Sequence, residues 1–136
     1  MRIINAVLLL STVLLTACAR TTLTSPTPVA DTDTLQREFS SLLLPGGGAS
    51  RDFEITVAGA IAVTLKSTTP SGIPIGLGVG IPRANGTCAL STAVETTSGA
   101  TAQLSVNAEA GAYCAKVYDL GTLSAPLPFT IAISRP

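Results

Sequence analysis

Two alternating runs of residues stand close together in the segment FEITVAGAIAVTLK, residues 53–66. In both runs every second residue is a large apolar one, and these residues are Phe53, Ile55, Val57, Ile61, Val63 and Leu65. A period of two is typical of a β-strand that has one face in a core and the other in water. The segment therefore predicts two half-buried strands.

The residues between the two runs, Ala58-Gly59-Ala60, predict a direct hairpin. Both apolar faces must point to the same core, and a slip of one residue in the pairing would expose one of them. This loop length satisfies the condition by placing Phe53 opposite Leu65, and it also places Asp52 opposite Lys66. We expect the last two side chains to form an exposed ion pair, worth at most about 1 kcal/mol.

Further short runs, separated by Gly, Pro, Asn and Ser, continue the pattern on both sides. They cover residues 37–44, 75–81, 87–94, 101–106, 112–118 and 128–134. Short strands at such regular spacing indicate an all-β fold, a small antiparallel β-sandwich over residues 34–136. Its core must be aliphatic, because the whole chain contains three Phe, two Tyr and no Trp.

At the start of the chain, an apolar stretch follows the cationic pair Met1-Arg2 and ends with small residues before Cys18. This layout is that of a secretory signal, and the stretch is too short for a good membrane span. The residues Leu15-Thr16-Ala17-Cys18 resemble the lipobox of bacterial lipoproteins. The resemblance implies a signal peptide over residues 1–17, cleavage before Cys18, and lipidation of that cysteine. An ordinary signal peptide and an uncleaved anchor are the alternatives.

Residues 18–33 predict a disordered tether. Eight of the fifteen residues from 19 to 33 are Ser, Thr or Pro, and such a segment buries too little apolar surface to fold. At about 3.1 Å per residue, the tether would hold the domain up to roughly 45 Å from the lipid bilayer, its partner through the acylated N-terminus. We expect a location in the cell envelope. The outer membrane is expected in a cell with two membranes, since Ala19 and Arg20 lack the aspartate that resembles an inner-membrane retention signal.

A set of motifs is spread over the predicted domain: Arg37-Glu38-Phe39, residues 42–47, 53–59 and 61–65, Gly111-Ala112-Tyr113, Val117, and residues 129–133. Together they resemble the bacterial pre-peptidase C-terminal domain, which is appended to secreted proteases and collagenases and in some cases binds collagen or calcium. The resemblance implies a jelly-roll-like sandwich. The acidic residues that usually flank the middle strand of such domains are replaced here by Gly76, Gly78 and Gly80, so we expect no metal site and no cofactor.

Two cysteines, Cys88 and Cys114, remain once Cys18 is lipidated. The signal sends them to an oxidising compartment, where disulfides form and persist. We predict a bond between them that clamps the glycine-rich hairpin onto the strand of Tyr113. Because the pleat puts Cys114 on the face opposite Tyr113, the bond is expected on an outer face or at a sheet edge. Two buried free thiols are the alternative.

Structural roles are expected for several polar and glycine residues. Asn85-Gly86 matches a glycosylation acceptor with Thr87, but it is also the strongest signal for a two-residue hairpin turn, which we prefer. Gly111-Ala112-Tyr113 predicts a tyrosine corner, in which the Tyr113 hydroxyl bonds back to the preceding turn. Asp52 and Glu54 are interpreted as solvated charges rather than as a carboxylate pair for glycoside hydrolysis.

The glycines of segment 75–81 alternate with Ile75, Leu77, Val79 and Ile81. They indicate a strand with one aliphatic and one bare face, because a phosphate-binding loop requires a strand, a turn and a helix.

Composition limits the possible functions. The chain contains no histidine, which excludes Ser-His-Asp and Cys-His catalysis and a histidine-ligated metal. Eight basic and eight acidic residues form no basic stripe, so no nucleic-acid partner is expected. We therefore expect a protein without catalytic residues. Its domain is either a binding module for an extracytoplasmic protein, peptide or glycan, or an assembly unit that associates through an exposed glycine-rich strand edge.

Overall fold

A computed structural model of the chain describes residues 35–136. Eight strands make up this part: β1 Leu35–Leu43, β2 Gly48–Ile55, β3 Gly59–Thr68, β4 Ile75–Pro82, β5 Cys88–Thr96, β6 Leu104–Ala108, β7 Gly111–Tyr118 and β8 Leu127–Arg135. The predicted signal peptide, the lipidation site Cys18 and the tether lie outside the described residues. Within residues 35–136, no helix is long and apolar enough to cross a membrane.

The strands form two antiparallel sheets of four strands each, packed face to face. Sheet A has the order β1-β8-β3-β6, and sheet B has the order β2-β7-β4-β5. Consecutive strands alternate between the sheets except at the hairpin of β4 and β5, and this is the connectivity of a jelly roll. The predicted all-β, jelly-roll-like sandwich is confirmed.

The core lies between the sheets and is mainly aliphatic, as the composition requires. Its fully buried members include Ile61, Val63 and Leu65 of β3, and burying each such side chain contributes roughly 1.5–3 kcal/mol. At the side where the edge strands β1 and β2 meet, the rings of Phe39 and Phe129 pack edge to face with centroids 5.8 Å apart. The guanidinium carbon of Arg51 lies 5.7 Å from the Phe39 ring centroid, and so this side of the core is covered by a cationic side chain.

The predicted hairpin over residues 52–66 is wrong. Strand β2 ends at Ile55 in sheet B and β3 begins at Gly59 in sheet A, so the residues between them cross from one sheet to the other. Val57, placed in the core by the prediction, lies in this crossing and is 62% exposed. Asp52 and Lys66 consequently belong to different sheets and form no cross-strand pair. A hairpin and a crossing turn both aim the two apolar faces at the same core, and for that reason the alternation did not distinguish them.

The other predicted strands are confirmed, although one of them begins later in the sequence than predicted. The run 101–106 becomes a strand only at Leu104, because the Gln103 side chain takes the place of backbone pairing before it. The Gln103 amide oxygen accepts a hydrogen bond from the Leu65 N–H at 2.7 Å, and its nitrogen donates to the Leu65 carbonyl at 3.3 Å.

The two ends of the sandwich differ in what they carry. Leu35 pairs with Arg135, so the described chain starts and stops at one end, the near end. Leu43 pairs with Leu127 at the opposite end of β1, the far end, about 27 Å away for a strand of nine residues. The loops of residues 44–47, 69–74, 97–103 and 119–126 lie at the far end.

Candidate functional site

A groove on the outer face of sheet B opens toward the far end. Its volume is about 530 Å³, and its lining residues are Gly46, Gly47, Gly48, Leu90, Lys116, Tyr118 and Asp119. We refer to it as the Tyr118 groove. Strands β2, β7 and β5 and the loop before β2 all contribute to it, so it exists only in the folded sheet.

Side chains lie flat in this groove because glycines stand beside them. A Cβ atom on Gly76 would be 2.2 to 2.5 Å from three atoms of the Tyr118 ring, so the ring lies face-on against the Gly76 backbone. The Leu90 methyl groups lie in the same way over Gly78, and Cε of Lys116 lies over Gly48. The surface they form is low and nearly level.

Two expectations about the glycine-rich strand need correction. Its outward face carries no side chains of its own, as predicted, but it is not bare: neighbouring side chains cover Gly76 and Gly78, and the glycines of β4 are buried. Nor does β4 offer an edge, since it is hydrogen-bonded to β5 on one side and β7 on the other. Association through an exposed edge of this strand is therefore ruled out by its position in the sheet.

Asp119 fixes the rim of the groove. One carboxylate oxygen accepts a hydrogen bond from the Gly46 N–H at 2.7 Å. The other accepts from the N–H groups of Gly121, Thr122 and Leu123 at 3.0 to 3.2 Å. The bond from Gly46, followed by those from the loop after Asp119, holds the pKa of this carboxyl below its ordinary value. Asp119 thus ties the loop before β2 to the loop before β8.

A second cleft lies at the far end itself. It has a volume of about 390 Å³ and is largely apolar, with Pro70, Ile73, Pro74, Leu123, Pro126 and Leu127 among its lining residues. We refer to it as the proline pocket. Its walls are the loop between β3 and β4 and the loop between β7 and β8. Since Asp119 anchors the second of these loops, one carboxylate supports both clefts.

The predicted disulfide is confirmed. Cys88 and Cys114 are joined with a Cα–Cα distance of 5.8 Å. The bond links β5 to β7 across the end of β4, where Cys114 pairs with Gly80. A Cβ on Gly80 would lie 1.9 Å from the carbonyl oxygen of Ala89, so a side chain at this position of β4 would collide with the backbone of β5. Cys114 is fully buried and Cys88 is 8% exposed.

The predicted tyrosine corner is also present. The Tyr113 hydroxyl donates a hydrogen bond to the Glu109 carbonyl at 3.0 Å, and the Tyr113 ring stacks on Phe53 with centroids 6.2 Å apart. Gly111 is the first residue of β7 and pairs with Ile55. These residues hold the near end together and lie away from the Tyr118 groove.

The Asn85-Gly86 turn is present, but its loop has three residues instead of the predicted two. The Arg83 N–H donates to the Thr87 carbonyl at 2.8 Å, and the Gly86 N–H donates to the Arg83 carbonyl at 2.9 Å. Gly86 has a φ of 78°, which glycine adopts without strain. The Asn85 side-chain oxygen accepts bonds from the Thr87 N–H and hydroxyl, so the asparagine is used within the turn.

The residues selected from the sequence are thus mostly structural, and those of the groove were missed. Lys116, Tyr118 and Leu90 belong to no recognisable sequence motif. The one available signal was Asp119 followed two residues later by Gly121, a pattern typical of a side-chain-closed turn. Asp52 and Glu54 are both exposed on the outer face of β2, as interpreted.

No protein-family model matches this chain, and no curated protein matches it. Among residues 35–136, no group of three or more Cys, Asp or Glu side chains is placed to hold a metal ion.

Proposed function

We propose that this protein is a lipid-anchored binding module of the cell envelope, without catalytic activity, that presents the far end of its sandwich to a macromolecular partner. The observation that carries the proposal is the position of the two clefts. The proline pocket lies at the far end and the Tyr118 groove opens toward it, whereas β1, the first described strand, begins at the near end.

The anchor supports this orientation. The predicted lipidation site, Cys18, and the predicted tether both precede β1 in the sequence, and β1 starts at the near end. A jelly roll held in this way turns its far end away from the bilayer, with the length of β1, about 27 Å, added to the tether. The surface most accessible to a partner is therefore the one that carries the clefts.

The chemistry of the clefts supports binding over catalysis. The proline pocket is lined mainly by apolar groups, and the titratable side chains lining the Tyr118 groove are Lys116, Tyr118 and Asp119. Both carboxylate oxygens of Asp119 already accept backbone hydrogen bonds. A general base needs a free lone pair within reach of its substrate, and this carboxylate has its hydrogen bonds committed to the loops.

The proposal is tested by photo-crosslinking with the full chain in its native cells. A benzophenone amino acid is placed at Ser124, which is exposed in the far-end loop, or at Val57, which is exposed at the near end. We expect light-dependent adducts of higher mass from Ser124 and none from Val57. Adducts of equal strength from both positions, or none from Ser124, would overturn the proposal.

A further inference from the structure

We propose that the Tyr118 groove binds an acidic glycan, with a pyranose ring stacked on Tyr118 and a carboxylate or phosphate of the sugar paired with Lys116. The inference rests on the proposed function and specifies the ligand class of one of its two clefts. It is carried by the way in which three side chains lie against glycines on the outer face of sheet B.

The Tyr118 ring has the orientation that stacking requires. One ring face rests on Gly76, and Tyr118 is one of the residues that line the groove. Tyr118 pairs with Gly48 of β2 on one side and with Gly76 of β4 on the other, so neither adjacent strand places a side chain directly beside the ring. A pyranose has a nearly flat face of C–H groups and a rim of hydroxyls, which match the apolar face and the polar hydroxyl of a tyrosine.

Lys116 supplies the charge. Its Cε lies over Gly48, so the apolar stem of the side chain covers the sheet while the ammonium group remains at the groove. Asp119 is the acidic side chain on the same rim, but its two oxygens are directed to the N–H groups of Gly46 and of residues 121–123. The cation that remains for a ligand is Lys116, which favours an acidic sugar over a neutral one.

The groove fits a glycan better than a peptide or a nucleic acid. Its lining is more polar than apolar, and its floor is shallow, whereas an apolar side chain of a peptide has the proline pocket available. A nucleic acid requires several cations to neutralise successive phosphates, whereas Lys116 is the one Lys or Arg residue that lines the groove.

The inference is tested with three oligosaccharides of equal length: a galacturonic acid tetramer, a glucose tetramer and a glucosamine tetramer. Binding to the lipidated full chain in detergent micelles is measured by calorimetry. We expect the acidic tetramer to bind best and the cationic one worst. Tyr118→Ala should lower the affinity for the acidic and neutral tetramers by roughly five- to tenfold, because the stacking surface is lost.

Further variants separate the contribution of the Lys116 charge to binding from that of the Tyr118 ring. Lys116→Met keeps the apolar stem and should reduce the affinity for the acidic tetramer to that for the neutral one. Tyr118→Phe keeps the ring and should retain binding, which guards against a folding defect in Tyr118→Ala. Leu42→Ala removes an exposed apolar side chain from the outer face of sheet A and should change nothing.

Two results would overturn the inference: no binding of any tetramer, or binding that neither Tyr118→Ala nor Lys116→Met alters. If crosslinks from Ser124 are still obtained in that case, the proposed function stands and only the ligand class is wrong. If the tetramers bind as expected but Ser124 gives no adduct, the groove is a glycan site on a protein whose far end does not meet its partner.

Discussion

The phenol ring of Tyr118 lies face-on against the backbone of Gly76 in the adjacent strand. A methyl group on Gly76 would stand 2.2 Å from the nearest ring atom, so the two positions are complementary: the ring occupies the volume that any side chain there would need. The same complementarity recurs where Leu90 covers Gly78 and Lys116 covers Gly48. The groove thus depends on the absence of side chains as much as on the residues that line it.

Gly76→Ala is expected to displace the Tyr118 ring at little cost in stability. The atoms that a new Cβ meets belong to the tip of a side chain that is able to rotate outward, so we expect a loss of less than about 1 kcal/mol in the free energy of unfolding. The ring resonances of Tyr118 should shift, and tetramer binding should weaken. Denaturant unfolding and NMR of the same sample measure both effects.

Gly80→Ala is the matched control for this substitution. Its Cβ would lie 1.9 Å from the Ala89 carbonyl oxygen, which belongs to the backbone and cannot rotate away. We expect a loss of about 2–3 kcal/mol or more, with the pairing of β4 and β5 disturbed. Equal losses for the two variants would contradict this account of the glycine-rich strand.

Asp119→Asn should destabilise the protein in a manner that depends on pH. The amide cannot accept at both ends as the carboxylate does, because its NH₂ group would face an N–H donor. The pKa of Asp119 is lowered in the folded state from 3.8, so its contribution to stability is present above that pH and is lost as the pH falls through the folded pKa.

The measurement for Asp119 is the free energy of unfolding of wild type and Asp119→Asn between pH 2 and pH 7. The contribution of the Asp119 charge should be lost below pH 3.8, where the carboxylate of the folded protein becomes protonated. The difference between wild type and Asp119→Asn should be largest near neutrality and shrink in acid. Asp52→Asn changes an exposed carboxylate on the outer face of β2 and should have little effect at neutral pH. A difference for Asp119→Asn that stays constant down to pH 2 would refute the role given to its charge.

Much of the fold followed from the sequence because its determinants are local. The alternation of Phe53 with Ile55, and of Ile61 with Leu65, defines strands without reference to anything distant. The pairing of these two strands as a hairpin was predicted wrongly, because a hairpin and a turn that crosses between sheets give the same alternation in the sequence. Val57 belongs to that turn, and nothing in its apolar character indicates that it lies outside the core.

The groove, by contrast, depends on contacts between distant parts of the chain. Gly48, Tyr118 and Gly76 come from three separate segments and form one row only because β7 pairs with both β2 and β4 in a particular register. In the sequence, the glycines of residues 76–80 indicated a bare face. The side chains that cover this face could be identified only once the strand order was known.

Tyr113→Phe should lower the free energy of unfolding by about 0.5–1.5 kcal/mol, because it removes the hydrogen bond to the Glu109 carbonyl and keeps the stacking on Phe53. Tyr118→Phe, which removes a hydroxyl from the groove instead, is expected to leave the free energy of unfolding nearly unchanged. Thermal or chemical unfolding of both variants decides the matter. A larger loss for Tyr118→Phe than for Tyr113→Phe would contradict the assignment of the corner.

Cys18→Ala should abolish lipid attachment, since the lipobox resemblance implies that this cysteine is the acylated residue. Metabolic labelling with a radioactive or alkyne-bearing fatty acid should mark the wild type alone, and the variant should leave the membrane fraction. The variant Cys88→Ser with Cys114→Ser controls for loss of any cysteine and should be labelled normally. Equal labelling of wild type and Cys18→Ala would exclude this anchor.

Removing the disulfide should cost a large share of the stability of the domain. The bond closes a sequence separation of 26 residues, for which the chain-entropy model gives roughly 3–4 kcal/mol. The double variant Cys88→Ser with Cys114→Ser should lose about this amount in denaturant unfolding, and the reduced wild type should match it. Because Cys114 is fully buried and Cys88 is 8% exposed, reduction should be slow in the folded protein and fast once it is unfolded. Titration of the unfolded, unreduced protein should find no reactive thiol at these positions, and two thiols per chain would show that the bond is absent in the cell.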